Sequence, residues 1–380
     1  MENNSLHPPE KHDFNSCDRY VIVNGKRFHY IWLRDNCLSP KCYHRTSFQK
    51  MHDISELKTQ PKPLKIELKD EKLIIDWDED IPHQSIFPIS WLMSHANDGK
   101  QETKPTREKI LWDRTWLDAH QPEFVDAQSG DSKTWRNQLL SLGFTVIKNL
   151  PYQELDNFVS SLGPVYYLAK YGRYSKVKAI PNAQDLSLSA EGNELSPHTD
   201  ITYMHTPPLV QLLYCAENLA TGGESVVVDG FRVAKDFQQH HPEYFDILTK
   251  VPVKFEQFYQ EWEYYVSRTT PIIELDRDSL VNAVYFSHKN FSSQLPFDHI
   301  EKFYEAYHAF FDYLKNPAYQ YWFRMETGDC WLVENFRVLH GRKKFDPSSG
   351  VRHLKVAYMD WQYFAGREDF HRLKNLYELI

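Results

Sequence analysis

Residues 352–361 read Arg-His-Leu-Lys-Val-Ala-Tyr-Met-Asp-Trp, and this stretch decides how the second half of the chain folds. Alternate residues of an extended strand face the same side, so Arg352, Leu354, Val356 and Tyr358 share one face. A guanidinium that faces inward with apolar residues needs an anion, and arginine pairs with carboxylates through two parallel hydrogen bonds. The stretch therefore predicts a strand that binds a carboxylate. The alternative is that Arg352 forms an internal ion pair.

Short runs of apolar or β-branched residues precede this strand and are bounded by glycine, proline or charged residues. They are residues 210–215, 225–228 and 330–333. Several short strands separated by turns are typical of a β barrel or sandwich. Amphipathic patterns predict helical insertions at residues 231–250 and 297–314. The sequence therefore predicts a mainly β fold with helical insertions.

The amino-terminal part of the chain has a pattern of its own. Apolar and polar residues alternate within four short segments, namely residues 20–23, 28–32, 64–68 and 73–77. Asn24-Gly25, between the first two segments, is a favoured hairpin turn. These features predict a small β-rich module.

A polar stretch that contains Gly99 and Pro105 separates the two patterns and is typical of a linker. We therefore predict three parts of the chain. Residues 1–15 form a disordered tail, residues 16–100 form the small β-rich domain, and residues 108–380 form the larger β domain.

Bulk composition excludes several classes of function. A formal net charge of −8, with Lys and Arg scattered, argues against nucleic-acid binding. No apolar run approaches the roughly 18 residues that cross a bilayer, so we predict no membrane segment. The five cysteines are irregularly spaced, and residues 1–13 lack an export or organelle signal. These features predict a cytoplasmic protein that acts on a small molecule.

His198-Thr199-Asp200 places an imidazole and a carboxylate on the same side of an extended segment. His340 supplies a second imidazole. Two histidines and one carboxylate on one face of a metal form the ligand set of non-haem Fe(II) oxygenases, and this set leaves positions open for 2-oxoglutarate and O2. The distal carboxylate of 2-oxoglutarate would then be the partner of Arg352. An isolated His-x-Asp is more often a surface or turn pair, so the prediction depends on all four residues together.

An ordered series of motifs runs through nearly the whole chain. It consists of WLRDNC (32–37), HTD (198–200), TPP (206–208), TGGES (221–225), NFRVLHGR (335–342) and RHL (352–354). In this series the chain resembles the TauD-type oxygenases and, among them, the γ-butyrobetaine and trimethyllysine hydroxylases. The resemblance implies a double-stranded β-helix, a hydrogen bond from Ser225 to 2-oxoglutarate, ascorbate as reductant and a homodimer.

The resemblance also implies a structural zinc site in the small domain, on three cysteines and a histidine. Cys37 and Cys42 match this pattern, and His83 fits the distant histidine, but Ser39 stands in place of the middle cysteine. A tetrahedral site needs a fourth ligand or a water, and His44 is the candidate. The alternative is a metal-free module with a buried pair of thiols.

Aromatic rings bind quaternary ammonium groups through their negative faces. Tyr171 and Tyr358 correspond to cage aromatics of the butyrobetaine enzymes, and a third cage position is either filled by Tyr174 or lost at Ser175. The 23 tyrosines of this chain must mostly be structural. Two departures weaken the correspondence. Residues 185–189 lack a tyrosine that relatives have, and Ser287-His288 replaces a pair of asparagines that helps to hold the butyrobetaine carboxylate.

The resulting prediction is a 2-oxoglutarate-dependent dioxygenase that hydroxylates a small amino acid or betaine-like substrate and releases succinate and CO2. One alternative is an enzyme of the same family that acts on a non-betaine acid, with desaturation or ring closure as outcome. Another is a zinc hydrolase on the same triad, which leaves Arg352 and Ser225 unexplained. A non-catalytic β-barrel binding protein would not be expected to keep the ligand set.

Overall fold

The computed structural model of the protein describes residues 13–57, 59–96, 108–167, 172–179, 192–205, 209–292, 295 and 297–377. The chain divides into two compact units, of which one is Met1–Lys104 with Asp369–Ile380 and the other is Pro105–Glu368. We predicted that the larger domain continues to residue 380, whereas the structure groups the residues from Asp369 with the smaller unit. No helix within the described ranges is long and apolar enough to span a membrane.

The smaller unit holds two antiparallel sheets, with strand orders β1-β2-β3 and β4-β5-β6. Its elements are β1 Phe14–Ser16, β2 Tyr20–Val23, β3 Lys26–His29, α1 Tyr30–Asp35, β4 Pro63–Lys69, β5 Lys72–Trp77, β6 His83–Pro88 and α2 Ile89–Ser94. Alternate residues of the strands, such as Val21 and Val23 of β2 and Leu73 and Ile75 of β5, are buried in one apolar cluster. The period-two pattern of the sequence thus becomes the inner face of each sheet.

Two details of this unit differ from our predictions. Residues 14 and 15, predicted to lie in a disordered tail, belong to β1, whose backbone pairs with β2. The side chains of β1 are exposed, so its sequence has no apolar periodicity to reveal it. Residues 30–32, predicted as strand, begin α1, in which Tyr30 and Leu33 are buried at helical spacing.

The larger unit is built mainly from strands. They are β7 Val125–Asp126, β8 Phe144–Lys148, β9 Ser175–Ala179, β10 Leu195–His198, β11 Leu209–Asn218, β12 Thr221–Gly222, β13 Ser225–Asp229, β14 Val253–Tyr259, β15 Tyr264–Thr270, β16 Ile273–Leu275, β17 Val281–Val284, β18 Phe291–Ser292, β19 Gln320–Phe323, β20 Cys330–Glu334, β21 Val338–Arg342, β22 Phe345–Asp346 and β23 Arg352–Asp360. The helices that follow α2 are α3 Arg114–Ala119, α4 Ser132–Leu142, α5 Leu155–Leu162, α6 Gly230–His240, α7 Pro242–Lys250, α8 Ile300–Lys315 and α9 Trp361–Tyr377.

Two sheets of the larger unit face each other across an apolar core. One has the strand order β10-β21-β13-β19, and the other has the order β7-β8-β20-β11-β23-β9. Val227 of β13 and Val338 of β21 pack in one cluster with Val146 of β8, Val333 of β20 and Leu354 of β23. These facing sheets form the double-stranded β-helix that the resemblance implied. The prediction of a mainly β fold with helical insertions is confirmed.

Helices cover the opposite face of the four-stranded sheet. Val226 and Val228 alternate with the core residues of β13 and pack in one cluster with Phe237 of α6 and Phe310 of α8. We predicted one helix over residues 231–250, but the structure has two, α6 and α7. Pro242 has no backbone N–H to continue α6 and occupies the first turn of α7 instead, where that N–H is not needed.

Candidate active site

The three predicted metal ligands converge at the open end of the facing sheets. His198 ends β10 and is the direct cross-strand partner of His340 on β21, so the two imidazoles lie on the same face with ring centroids 4.6 Å apart. Asp200 follows β10 by two residues. The potential ligand atoms of the three side chains all lie within 4.8 Å of one another. Two stretches of chain far apart in sequence thus form one cluster.

The close approach of β10 and β21 explains the glycine that follows His340. A Cβ atom at Gly341 would lie 2.4 Å from the backbone oxygen of Leu195. Such a contact would push the two strands apart and separate His198 from His340. The His-Gly pair of the sequence is therefore required by the strand packing as well as by the chemistry.

The electrostatics around His198 and Asp200 favour the protonation states in which these two side chains bind a metal. Burial lowers the pKa of His198 to about 4, and the nearby positive charge of Lys289 acts in the same direction. Burial acts to raise the pKa of Asp200, but the two imidazoles lower it well below its usual range. Two neutral imidazoles and one carboxylate are the forms that donate electron pairs to a divalent cation.

Hydrogen bonds fix the orientation of His198 and Asp200. His198 donates from Nδ1 to the backbone oxygen of Ser196 at 2.9 Å, so the lone pair of Nε2 faces the centre of the cluster. The Oδ2 atom of Asp200 accepts from the Tyr358 hydroxyl at 2.6 Å and from Gln211 Nε2 at 2.8 Å. The carboxylate therefore keeps Oδ1 for a ligand role, with Nε2 of His198 3.3 Å from it.

Arg352 is a buried cation at the start of β23, with 4% of its surface exposed. Among the described residues no carboxylate lies within ion-pair distance of it, and its Nε atom has no hydrogen-bond partner there. Burial lowers its pKa to about 10. A guanidinium in this position is costly unless an anion joins it. The internal ion pair that was the alternative for Arg352 is absent from the described part of the chain.

A cavity of about 260 Å³ joins the metal cluster to Arg352. Its walls include the three metal ligands, Ser225, Arg352 and Tyr358, so six predicted site residues meet in one space. Apolar side chains, among them Trp331, Leu354 and Val356, line the remainder near the strands. The cavity is thus concave, partly apolar and equipped with a few convergent polar groups, as small-molecule sites commonly are.

The predicted aromatic cage is only partly assembled. Tyr358 lines the cavity, but Tyr174 does not: its hydroxyl donates to Asp156 at 2.6 Å, and the Lys355 ammonium lies 5.2 Å from its ring. Tyr171 lies outside the described residues. Tyr203 and Tyr259, which the sequence analysis did not single out, line the cavity beside Tyr358.

Lys289 is another cavity residue that the sequence analysis did not single out. Its Nζ atom lies 3.3 Å from Nε2 of His198, the atom that would bind the metal. The residue is exposed, yet loss of hydration at the ammonium lowers its pKa. Lys289 lies on a turn that has no periodic pattern, so nothing local in the sequence marked it.

The cysteine cluster of the smaller unit contains three of the four predicted zinc ligands. Nε2 of His83 lies 3.2 Å from Sγ of Cys37 and 3.5 Å from Sγ of Cys42. Although burial acts to raise it, the pKa of Cys37 is lowered to about 6, mainly by the hydrogen bond with His83. The structure does not bring His44 to this cluster, because its exposed ring interacts with the Ser47 hydroxyl at 2.9 Å.

Comparison with known protein families identifies the class of protein that this fold and site define. A family model described as "Taurine catabolism dioxygenase TauD, TfdA family" matches residues 103–358, and one described as "Gamma-butyrobetaine hydroxylase-like, N-terminal" matches residues 23–93. The chain belongs to the TauD, TfdA family of dioxygenases. The predictions of this family and of a dioxygenase are confirmed.

The chain is also similar to individual proteins and solved structures. The chain is 27% identical to rat mitochondrial trimethyllysine dioxygenase, over 88% of this chain and 80% of the relative. It is 28% identical to human gamma-butyrobetaine dioxygenase, over 89% of both chains. Among solved structures it is similar to PvcB, an Fe, alpha-ketoglutarate dependent oxygenase, with a TM-score of 0.47 and 16% identity over 62% of this chain and 82% of that one.

Proposed function

We propose that this chain is an Fe(II)- and 2-oxoglutarate-dependent dioxygenase that oxidises a small amino acid or betaine-like acid and releases succinate and CO2. The observation that carries the proposal is that the buried Arg352 has no ion-pair partner among the described residues and lies in the same cavity as His198, Asp200 and His340. A metal site alone would suit several chemistries. A metal site beside a buried guanidinium that lacks an anion is suited to a co-substrate with a distal carboxylate.

The donor set fits a ferrous ion. Two imidazole nitrogens and one carboxylate oxygen, all facing one point, leave coordination positions open on the other side of a metal. The chemistry that iron supplies when bound is O2 activation coupled to oxidative decarboxylation of 2-oxoglutarate. A zinc hydrolase would use the same three ligands but gives Arg352 no partner, so we do not propose it.

The protein's own contribution is to position 2-oxoglutarate and the metal ligands and to exclude water. Arg352 would bind the distal carboxylate of 2-oxoglutarate through two parallel hydrogen bonds, with the buried Ser225 hydroxyl nearby on β13. Tyr358 and Gln211 hold Oδ2 of Asp200, which leaves Oδ1 for the metal. The apolar wall that includes Trp331 limits side reactions with water.

Two substrate classes remain within the proposal. The relatives named for trimethyllysine and gamma-butyrobetaine support a trimethylammonium substrate, for which Tyr203, Tyr259 and Tyr358 would offer ring faces. The position of Tyr174 outside the cavity lining favours a non-betaine acid, with desaturation or ring closure among the outcomes. The homodimer and the cytoplasmic location stay predictions from the sequence.

The direct test is succinate release from 2-oxoglutarate with Fe(II), ascorbate and a panel of betaines and amino acids. We expect one class of compound to stimulate release by the wild type, and we expect Asp200→Ala to abolish it. Circular dichroism of the variant checks that it is folded. Equal release by the wild type and a folded Asp200→Ala variant would contradict the proposal.

We also propose a structural zinc site on Cys37, Cys42 and His83, with a water or the Ser39 hydroxyl as fourth ligand. The short distances from His83 to both sulfurs support it. The Oγ atom of Ser39 is buried and has no hydrogen-bond partner among the described residues. Three protein ligands with a fourth oxygen donor complete a tetrahedral zinc site.

A further inference from the structure

The charges that line the active-site cavity do not balance. The described lining residues contribute one carboxylate, Asp200, and three cations, Lys289, Arg342 and Arg352. A divalent metal and the dianion 2-oxoglutarate cancel each other, so their binding leaves this excess unchanged. An excess of positive charge in a confined space favours a ligand that brings negative charge.

Two of the three cations have partners in the proposed function or in the fold. Arg352 would bind the distal carboxylate of 2-oxoglutarate. Arg342 donates from a terminal nitrogen to the backbone oxygen of Asn193 at 2.6 Å, and its guanidinium lies 4.5 Å from the ring centre of Phe345. Lys289 has no such partner, because no carboxylate of the described residues is within ion-pair distance of its Nζ atom.

Among the residues that the structure describes, the Lys289 ammonium makes its polar contact with a metal ligand. Nζ donates to Nε2 of His198 at 3.3 Å, so a cation already stands beside the atom that would hold the metal. A metal at His198 would repel this ammonium at such a distance. The flexible four-carbon side chain then turns into the open cavity, where it needs an anion.

We propose that Lys289 binds the anionic group of the organic substrate and thereby restricts the enzyme to substrates that carry a carboxylate or a similar acid. This inference rests on the proposed function, since it requires a metal at His198 and 2-oxoglutarate at Arg352. It makes Lys289 a specificity-determining residue. It also orients a zwitterionic substrate, because the cationic end is repelled by Lys289 and turns towards the tyrosine rings.

The test compares matched probes that differ only in the acid. γ-Butyrobetaine and butyrate each carry a carboxylate, whereas γ-butyrobetaine methyl ester and butanamide do not. Binding of each probe is titrated calorimetrically into full-length protein loaded with Mn(II) and 2-oxoglutarate, a combination that does not turn over. We expect the acids to bind measurably and the ester and the amide to bind at least about 10-fold more weakly.

Three variants complete the experiment. Lys289→Met should weaken binding of the acids by about 10- to 100-fold. Lys289→Arg should keep most of the affinity for the acids, because the charge remains. Lys302→Met, at an exposed position on α8, is the matched control and should change nothing. Binding of 2-oxoglutarate should stay within about twofold of the wild type in all three, because Arg352 is intact.

The outcomes separate this inference from the proposed function. Three results would each refute the role of Lys289. They are an ester that binds the wild type as tightly as the acid does, unchanged acid binding by Lys289→Met, and no binding of any carboxylate probe. In those cases the dioxygenase proposal stands as long as 2-oxoglutarate binds in the presence of metal. If the wild type binds neither metal nor 2-oxoglutarate, the proposed function itself fails.

Discussion

Replacing Arg352 by methionine separates the anion-binding role of this residue from its structural role. Methionine has a similar length and no charge, so it fills much of the same volume. The change removes the partner of the 2-oxoglutarate carboxylate and leaves His198, Asp200 and His340 in place. We therefore expect metal binding to persist while 2-oxoglutarate binding is lost.

The magnitude follows from the burial of the site. Arg352 is 4% exposed, so its ion pair with a carboxylate would form almost entirely out of water. Truncating one partner of such a pair costs about 2 to 5 kcal/mol. This corresponds to a rise of about 30- to 4000-fold in the dissociation constant of 2-oxoglutarate. The dissociation constant of 2-oxoglutarate for Arg352→Lys should lie between those for the wild type and for Arg352→Met, because lysine keeps the charge but not the planar pair of donors.

The Arg352→Met variant should not lose stability. Without its anion Arg352 is a buried cation with no ion pair among the described residues, and replacing such a charge by an apolar group is often neutral or stabilising. Calorimetric titration of 2-oxoglutarate into Mn(II)-loaded protein measures affinity, and thermal unfolding of the metal-free protein measures stability. A 2-oxoglutarate affinity within about threefold of the wild type, or a large loss of stability in Arg352→Met, would refute this account of Arg352.

Three further predictions concern the ligands themselves. Tyr358→Phe removes the hydrogen bond to Asp200, so the metal affinity should fall by about 10- to 100-fold in a dialysis assay. Because phenylalanine keeps the ring, binding of a quaternary ammonium probe to the metal-saturated protein should be kept. Unchanged metal affinity would contradict this prediction. In the metal-free protein, the pKa of His198 near 4 lies below its ordinary value, so the unfolded state binds more protons between about pH 6.5 and pH 4. Stability measured by denaturant titration should fall over that range as the pH is lowered, by up to about 3 kcal/mol, and less so in His198→Asn. His83→Ala should remove zinc from the purified protein, as measured by elemental analysis, whereas His44→Ala should retain it; the reverse result would exclude the proposed ligand set.

The parts of the structure that could be predicted are those with a local signal. Strand β23 alternates polar and apolar residues because one face meets the core, and that alternation places Arg352, Val356 and Tyr358 correctly towards the cavity. His198 and Asp200 are two residues apart, so their common direction follows from the geometry of an extended chain. His340 was added through its motif, and β-sheet register then brings it opposite His198.

The parts that were missed depend on contacts between distant segments. Gln211 and Lys289 reach the metal cluster from a central strand and from a turn, and neither position has a pattern that distinguishes it from others of its kind. Tyr174 was proposed from the resemblance to the butyrobetaine enzymes, but its hydroxyl donates a hydrogen bond to Asp156 on α5. His44 was proposed as the fourth zinc ligand, whereas the turn that contains it faces solvent.

One spectroscopic measurement tests the central claim most directly. A 2-oxo acid that chelates a ferrous ion gives a charge-transfer absorption band, so 2-oxoglutarate is added anaerobically to the Fe(II)-loaded protein. We predict such a band at one equivalent of iron per chain in the wild type and its absence in His340→Ala. A wild-type protein that shows no band with iron and excess 2-oxoglutarate would contradict the account.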